Sequence, residues 1–121
     1  MNYDSVEVVE SQLAQGVTFT VAKMSYGRRV ELMRRIRELS RKLEFLDAGS
    51  EPGDKMDAAL LEAEINRVHL NWGLQAVSGL KLDGEDATPD SLAARGPEDL
   101  FCEALAAVRK QTGLSEAERK N

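Results

Sequence analysis

Two stretches of helical periodicity, joined by a short loop rich in glycine and proline, constrain this chain more than any other feature. In the first, Leu32, Ile36, Leu39, Leu43 and Leu46 recur at steps of four and three, which places them on one narrow seam of an α-helix. In the second, Met56, Leu60, Leu61, Ile65, Val68 and Trp72 recur in the same way. The loop from Gly49 to Gly53 contains Pro52, and so short a break between helices makes them run antiparallel. The pattern predicts a helix over about Tyr26 to Asp47 and a second from near Asp54 past Trp72, with Leu39 and Ile65 in a shared core. The fold class expected is mainly α: a small helical domain built on an antiparallel helical hairpin plus a C-terminal helix, with a short N-terminal strand and a small turn region.

The flanks supply those remaining parts. Val17, Phe19 and Val21 alternate with Thr18 and Thr20 after Gly16, the period-2 signature of a strand. Met1 to Gln15 is polar and acidic, and Val6, Val8 and Val9 alternate imperfectly; this segment reads as a tail or a weak strand. Ser25 suits a helix N-cap, although Arg28 stands where a capping box has Glu or Gln. Beyond Trp72, Gly73 and Gly79 break the helix, and Asp83-Gly84 between Leu82 and Ala87 marks a tight turn joining two very short extended pieces. Thr88-Pro89 restarts helix, with a capping oxygen followed by a proline at the first helical position. Gly96-Pro97 repeats the stop and start. The last helix, about Glu98 to Thr112, carries Leu100, Phe101, Leu105 and Val108 on one side and ends at Gly113. Residues 1–15 are thus a tail or weak strand, 16–114 a single helical domain, and 115–121 a polar tail in which Ser115 and Glu118 could cap one further turn.

At 121 residues the chain matches one domain able to bury roughly two thirds of its unfolded surface. Apolar runs are far shorter than the roughly 20 residues that cross a bilayer, and acids occupy the N-terminus where a secretory signal has lysines. A cytoplasmic protein without membrane contact is the expectation. Cys102 has no second cysteine to bridge, and its apolar helical context reads as a buried small hydrophobe rather than a reactive thiol. His69 stands alone among potential metal ligands and reads as a surface or partly buried ring. The glycines at 73, 79, 84 and 96 form no phosphate-cradling cluster, and Asp83, Glu85 and Asp86 lack the spacing of a calcium loop. No nucleophile, base and orienting acid assemble in sequence. The expectation is a non-enzyme without catalytic residues, cofactor or metal.

Charge is distributed unevenly. Between Lys23 and Lys42, eight basic residues face Glu31 and Glu38, so this segment is +6 and the rest of a chain of net charge −5 is strongly acidic. Arg34, Arg37 and Arg41 lie opposite the apolar seam, while Arg35 and Lys42 flank it. The plain reading is a solvated helix face; the functional one is a protein-binding face, with Arg28, Arg34, Arg37 and Arg41 as candidates. Such a basic arm could contact an acidic partner, the chain's own acidic helices or another copy. A small nucleic-acid-binding regulator using the Arg-rich helix is the alternative from another class. The acidic balance and the lack of a short turn presenting a recognition helix disfavour it.

The order of landmarks carries one further observation. Gly16-Val17-Thr18-Phe19-Thr20-Val21, a basic helix, an acidic helix ending in Asn71-Trp72, Gly79 to Leu82, Asp83-Gly84-Glu85, Thr88-Pro89-Asp90-Ser91-Leu92 and a final helix together resemble the small tail assembly chaperones of long-tailed bacteriophages and prophages, over about residues 16 to 114. The resemblance implies a helical, cofactor-free protein of the bacterial host cytoplasm. It implies a role in holding the tape-measure protein soluble and recruiting tail-tube subunits, with possible self-association and no place in the finished virion. That family has no catalytic motif to transfer and no contact residues that carry over by position. A minor structural tail or head–tail connector protein is compatible with the same landmarks.

Overall fold

Strand β2 (Thr18–Ala22) is the centre of the molecule in the computed structural model, which describes residues 1–49 and 51–113. Its alternation sends Phe19 and Val21, together with the preceding Val17, into the core, while Thr18 and Thr20 remain half-buried on the other side. Strand β1 (Val6–Glu10) pairs antiparallel along its length, with Val6 opposite Ala22 and Glu10 opposite Thr18. The first fifteen residues therefore contain a strand of the sheet. The loop after β1 is also tied down: Ser11 Oγ donates to Glu103 Oε1 at 2.5 Å, and the backbone N–H of Gln12 donates to Glu103 Oε2 at 2.7 Å.

Between β2 and its other neighbour the chain makes two long helices, α1 (Tyr26–Asp47) and α2 (Pro52–Gly73). Ser25 caps α1 by accepting from the Arg28 N–H at 3.2 Å. Pro52 opens α2 two residues before the expected start, in the first turn where its missing N–H does no harm. At 1.5 Å per residue each helix is about 33 Å long. They pack along each other as an arm, and α2 is the main packing partner of α1.

Directly after Gly73 comes β3 (Leu74–Ser78), a strand not expected from the sequence, which pairs antiparallel with β2 to complete the order β1-β2-β3. Gly73 ends the helix rather than merely breaking it, and it is closely packed: a Cβ there would lie 2.5 Å from Val108 Cγ1. The small hairpin of β4 (Lys81–Leu82) and β5 (Glu85–Asp86) turns through Asp83 and Gly84, both at positive φ. Helix α3 (Pro89–Arg95) starts with a capping box in which Thr88 and Ser91 bond each other's backbone N–H. Helix α4 (Glu98–Gln111) then lays Leu100, Ala104, Leu105 and Val108 against the sheet and the end of α2. Mainly helical, with a small antiparallel sheet, is thus the architecture of the described residues.

The core lies at the base of the arm rather than along it. Phe19, Val21, Leu70, Leu92 and Val108 are its largest fully buried side chains. Along α1 the expected seam is buried at Leu32 alone; Ile36, Leu39, Leu43 and Leu46 are half-buried, because one neighbouring helix covers them and no third layer does. On α2, Ala58 and Ile65 are buried, but Met56 and Leu60 are exposed, on the side turned away from α1. Cys102 is exposed, on the solvent side of α4. His69 is buried, with Nδ1 3.0 Å from the Ile65 carbonyl oxygen. No described helix is long and apolar enough to cross a membrane. The polar tail 115–121 and its suggested cap at Ser115 lie outside the described residues.

These placements set an order of mutational cost. Leu70→Ala should lower unfolding free energy by about 2–5 kcal/mol, and Ile65→Asp by roughly 3 kcal/mol or more through an unpaired buried charge. Leu39→Asp, which keeps access to water, should cost less than half as much as Ile65→Asp. Urea denaturation at unchanged m-value checks the series; an equal loss at Leu39 and Ile65 would place the core along the arm.

Candidate partner-binding surface

The arm's outward surface combines apolar side chains with arginines. Met33, Phe45, Met56 and Leu60 are 60%, 80%, 65% and 59% exposed. Fully burying a side chain of this kind is worth about 1.5–3 kcal/mol, so the arm holds several kcal/mol of unused apolar surface. Met33 and Phe45 stand on α1, and Met56 and Leu60 on the outer side of α2.

Two concavities organise it. Along α1, a shallow, open groove of about 520 Å³ between side chains of this one helix is lined by Val30, Met33 and Ile36 together with Arg34, Arg37 and Arg41. Spaced by three and four residues, the arginines stand in one row on the helix surface. Glu38 lies 3.7 Å from Arg41, an exposed pair of little worth. Among the described residues Arg34 and Arg37 have no hydrogen-bond or ion-pair partner, in contrast to Arg35, which reaches Glu31 at 2.6 Å. At the tip of the arm a second, wholly apolar-walled hollow lies between Phe45, Leu46 and Leu61 and is edged by Arg41 and Lys42.

Arg28, the fourth candidate, is elsewhere. Its guanidinium lies 4.9 Å from the centre of the Trp72 ring and donates to the Trp72 carbonyl, while Trp72 Nε1 donates back to the Arg28 carbonyl at 3.1 Å. This reciprocal clasp joins the first turn of α1 to the last turn of α2. Its parts are a cation over an indole face and two cross-helix hydrogen bonds. Sequence reasoning grouped Arg28 with the others by charge; contact with an aromatic forty-four positions away leaves no local signal.

The structure thus brings Arg34, Arg37 and Arg41 together on one groove and separates Arg28 from them. It adds the groove floor, Val30 and Met33, which fall outside the period of the packing seam. No group of three or more His, Cys, Asp or Glu side chains among the described residues could hold a metal ion. No family model, curated protein or solved structure matches this chain. What the arrangement can do chemically therefore rests on its own geometry: bury apolar side chains of another molecule and pair carboxylates beside them.

The clasp and the groove should separate in mutagenesis. Arg28→Ala removes the cation–aromatic contact and leaves the Trp72 carbonyl without its donor, so a loss of about 1–3 kcal/mol is expected, accompanied by a shift in Trp72 fluorescence. Changing Arg34, Arg37 and Arg41 together to Ala should move each site's contribution by no more than about 0.5 kcal/mol. Thermal melts followed by tryptophan emission and by circular dichroism check both; a silent Arg28→Ala would show the clasp to be incidental.

Proposed function

We propose that this protein is a non-catalytic tail assembly chaperone of a long-tailed phage or prophage. In this reading it holds the tape-measure protein soluble and brings tail-tube subunits to it in the host cytoplasm. The observation that carries the reading is the division of labour within the chain. A core at the base of the arm accounts for folding, and the helical hairpin above it leaves Met33 uncovered beside the unpaired Arg34 and Arg37, Phe45 beside Arg41 and Lys42, and Met56 and Leu60 on the outer side of α2. A surface of this kind suits a long helical client that would otherwise expose apolar stripes to water. The sequence landmarks from Gly16 to the final helix point the same way. Many copies, each making modest contacts along one long target, gain avidity without any single tight site.

Co-expression tests the reading. The tape-measure protein encoded alongside this chain should shift from the insoluble to the soluble fraction when the chain is present, and the two should co-purify. Arg34→Glu, Arg37→Glu and Arg41→Glu combined should reduce co-purification at least several-fold while the circular dichroism melt is retained. If the chain instead binds duplex or single-stranded DNA at about 0.15 M salt with a dissociation constant near 10⁻⁸ M, as specific regulators do, and with steep salt dependence, the nucleic-acid reading replaces this one.

A further inference from the structure

We propose that the α1 groove takes an acidic amphipathic helix of a partner protein, laid along α1 from Val30 to Glu44. The inference rests on the reading of the arm as a partner-binding surface and adds the chemistry of what it binds. Over that span α1 rises about 21 Å, the length of an occupant helix of about four turns. The floor of Val30, Met33 and Ile36 accepts aliphatic anchors spaced at i, i+3 or i+4 and i+7, the spacing by which a helix fills an apolar groove. Arg34, Arg37 and Arg41 repeat at the same interval along it. The matching occupant therefore carries Asp or Glu in a row flanking its apolar stripe, each able to take a guanidinium in paired hydrogen bonds.

Charge decides among occupants. Two α1 grooves of two copies facing each other would oppose their arginine rows, an arrangement that like-charge repulsion penalises. The chain's own α2 offers Met56 and Leu60 with Asp57 and Glu64, but the i+7 position is Ala63 from Met56 and Arg67, paired with Asp90 at 4.0 Å, from Leu60. That face therefore supplies two large apolar anchors where the floor takes three. A nucleic-acid backbone would satisfy the arginines and leave Val30, Met33 and Ile36 facing a hydrated phosphate chain. An acidic amphipathic helix satisfies rim and floor together.

The test uses the full chain and three fluorescein-labelled synthetic peptides of about 16 residues, long enough to span the groove. One has a Leu stripe flanked by Glu, the second has every Glu replaced by Lys, and the third is the first in scrambled order. Fluorescence anisotropy should show the acidic amphipathic peptide binding at least about tenfold tighter than either control and weakening between 0.05 and 0.5 M salt. Arg34→Glu, Arg37→Glu and Arg41→Glu combined should invert the preference towards the Lys peptide. Met33→Ser should weaken binding of the acidic peptide several-fold, with both variants melting like the parent chain. Equal binding of the scrambled peptide, equal or tighter binding of the Lys peptide, or no binding would overturn the proposal. So would sedimentation showing that the arginine row drives self-association while the acidic peptide fails to compete. Failure here with a soluble tape-measure complex intact removes the acidic-helix inference alone; peptide binding with no effect on the tape-measure protein removes the chaperone reading alone.

Discussion

The pairing of β2 with β3 governs the rest of the molecule, since these neighbouring strands are separated in sequence by the whole of α1 and α2. Adjacent strands lie about 4.8 Å apart, so the first helix leaves the sheet and the second returns to it side by side. The two helices have little freedom but to pack along each other. The Arg28–Trp72 clasp sits at that junction and converts strand spacing into a fixed helix–helix register at the base. Closing so long an excursion is tolerable because loop-closure entropy grows only slowly with length, and helical structure within the excursion removes much of the remaining freedom. Just beyond the clasp the end of α4 still braces both helices, Arg29 donating to the Thr112 carbonyl and Arg109 to Asn66; farther out, each helix of the arm has chiefly the other for support.

That constraint explains where sequence and structure part. Helix positions were legible because Ser25, Thr88-Pro89 and Gly113 punctuate strong periodicities and α1 ends where its apolar spacing ends; Pro52, assigned to the loop, instead opens α2. Strand β3 was not, for a definite reason: the register slips between Thr20 and Val21, so that Val21 faces Leu74 and Thr20 faces Ala76. Leu74 and Val77 both turn inward at a spacing of three, which a period-2 search rejects. In β1 the alternation is obscured because Glu7, opposite the buried Val21, stays exposed at the sheet edge, where Gln111 of α4 donates to it. Periodicity identified the apolar faces of α1 and α2 without saying how many neighbours would cover them. Leu39 therefore looked equivalent to Ile65, and Met56 to Val68. For the candidate surface, the row of Arg34, Arg37 and Arg41 follows from spacing alone, whereas the groove floor and the diversion of Arg28 are tertiary.

The mixture of arginine and apolar side chains on the arm addresses a conflict inherent in any exposed binding helix. Methionine and phenylalanine in water invite indiscriminate association, while a purely charged face gives rate and orientation but little affinity. Arginine reconciles these demands better than lysine would. Its stem covers apolar surface, its planar head is less strongly hydrated than an ammonium, and its charge keeps free copies apart. Met33 in the groove and Met56 on the far helix add adaptability, because an unbranched thioether conforms to more than one partner contour.

Separating the stable core from the binding surface also has a dynamic consequence. Regions with few buried apolar contacts open locally at a lower free energy than the core, and beyond Leu32 on α1 and before Ala58 on α2 no described side chain is fully enclosed. The outer part of the arm therefore sits at the low-stability end of the molecule while β2, β3 and α4 set the global limit. A helix seated in the α1 groove, as proposed, would supply the third layer that the arm lacks, so that binding and ordering of the arm would reinforce each other. Ligand binding to the native state raises its stability by mass action, and here the gain falls on the elements that the core supports least. In the proposed role, affinity at one arm would be held down by the cost of ordering it, and repeated occupancy along an extended client would restore it by avidity.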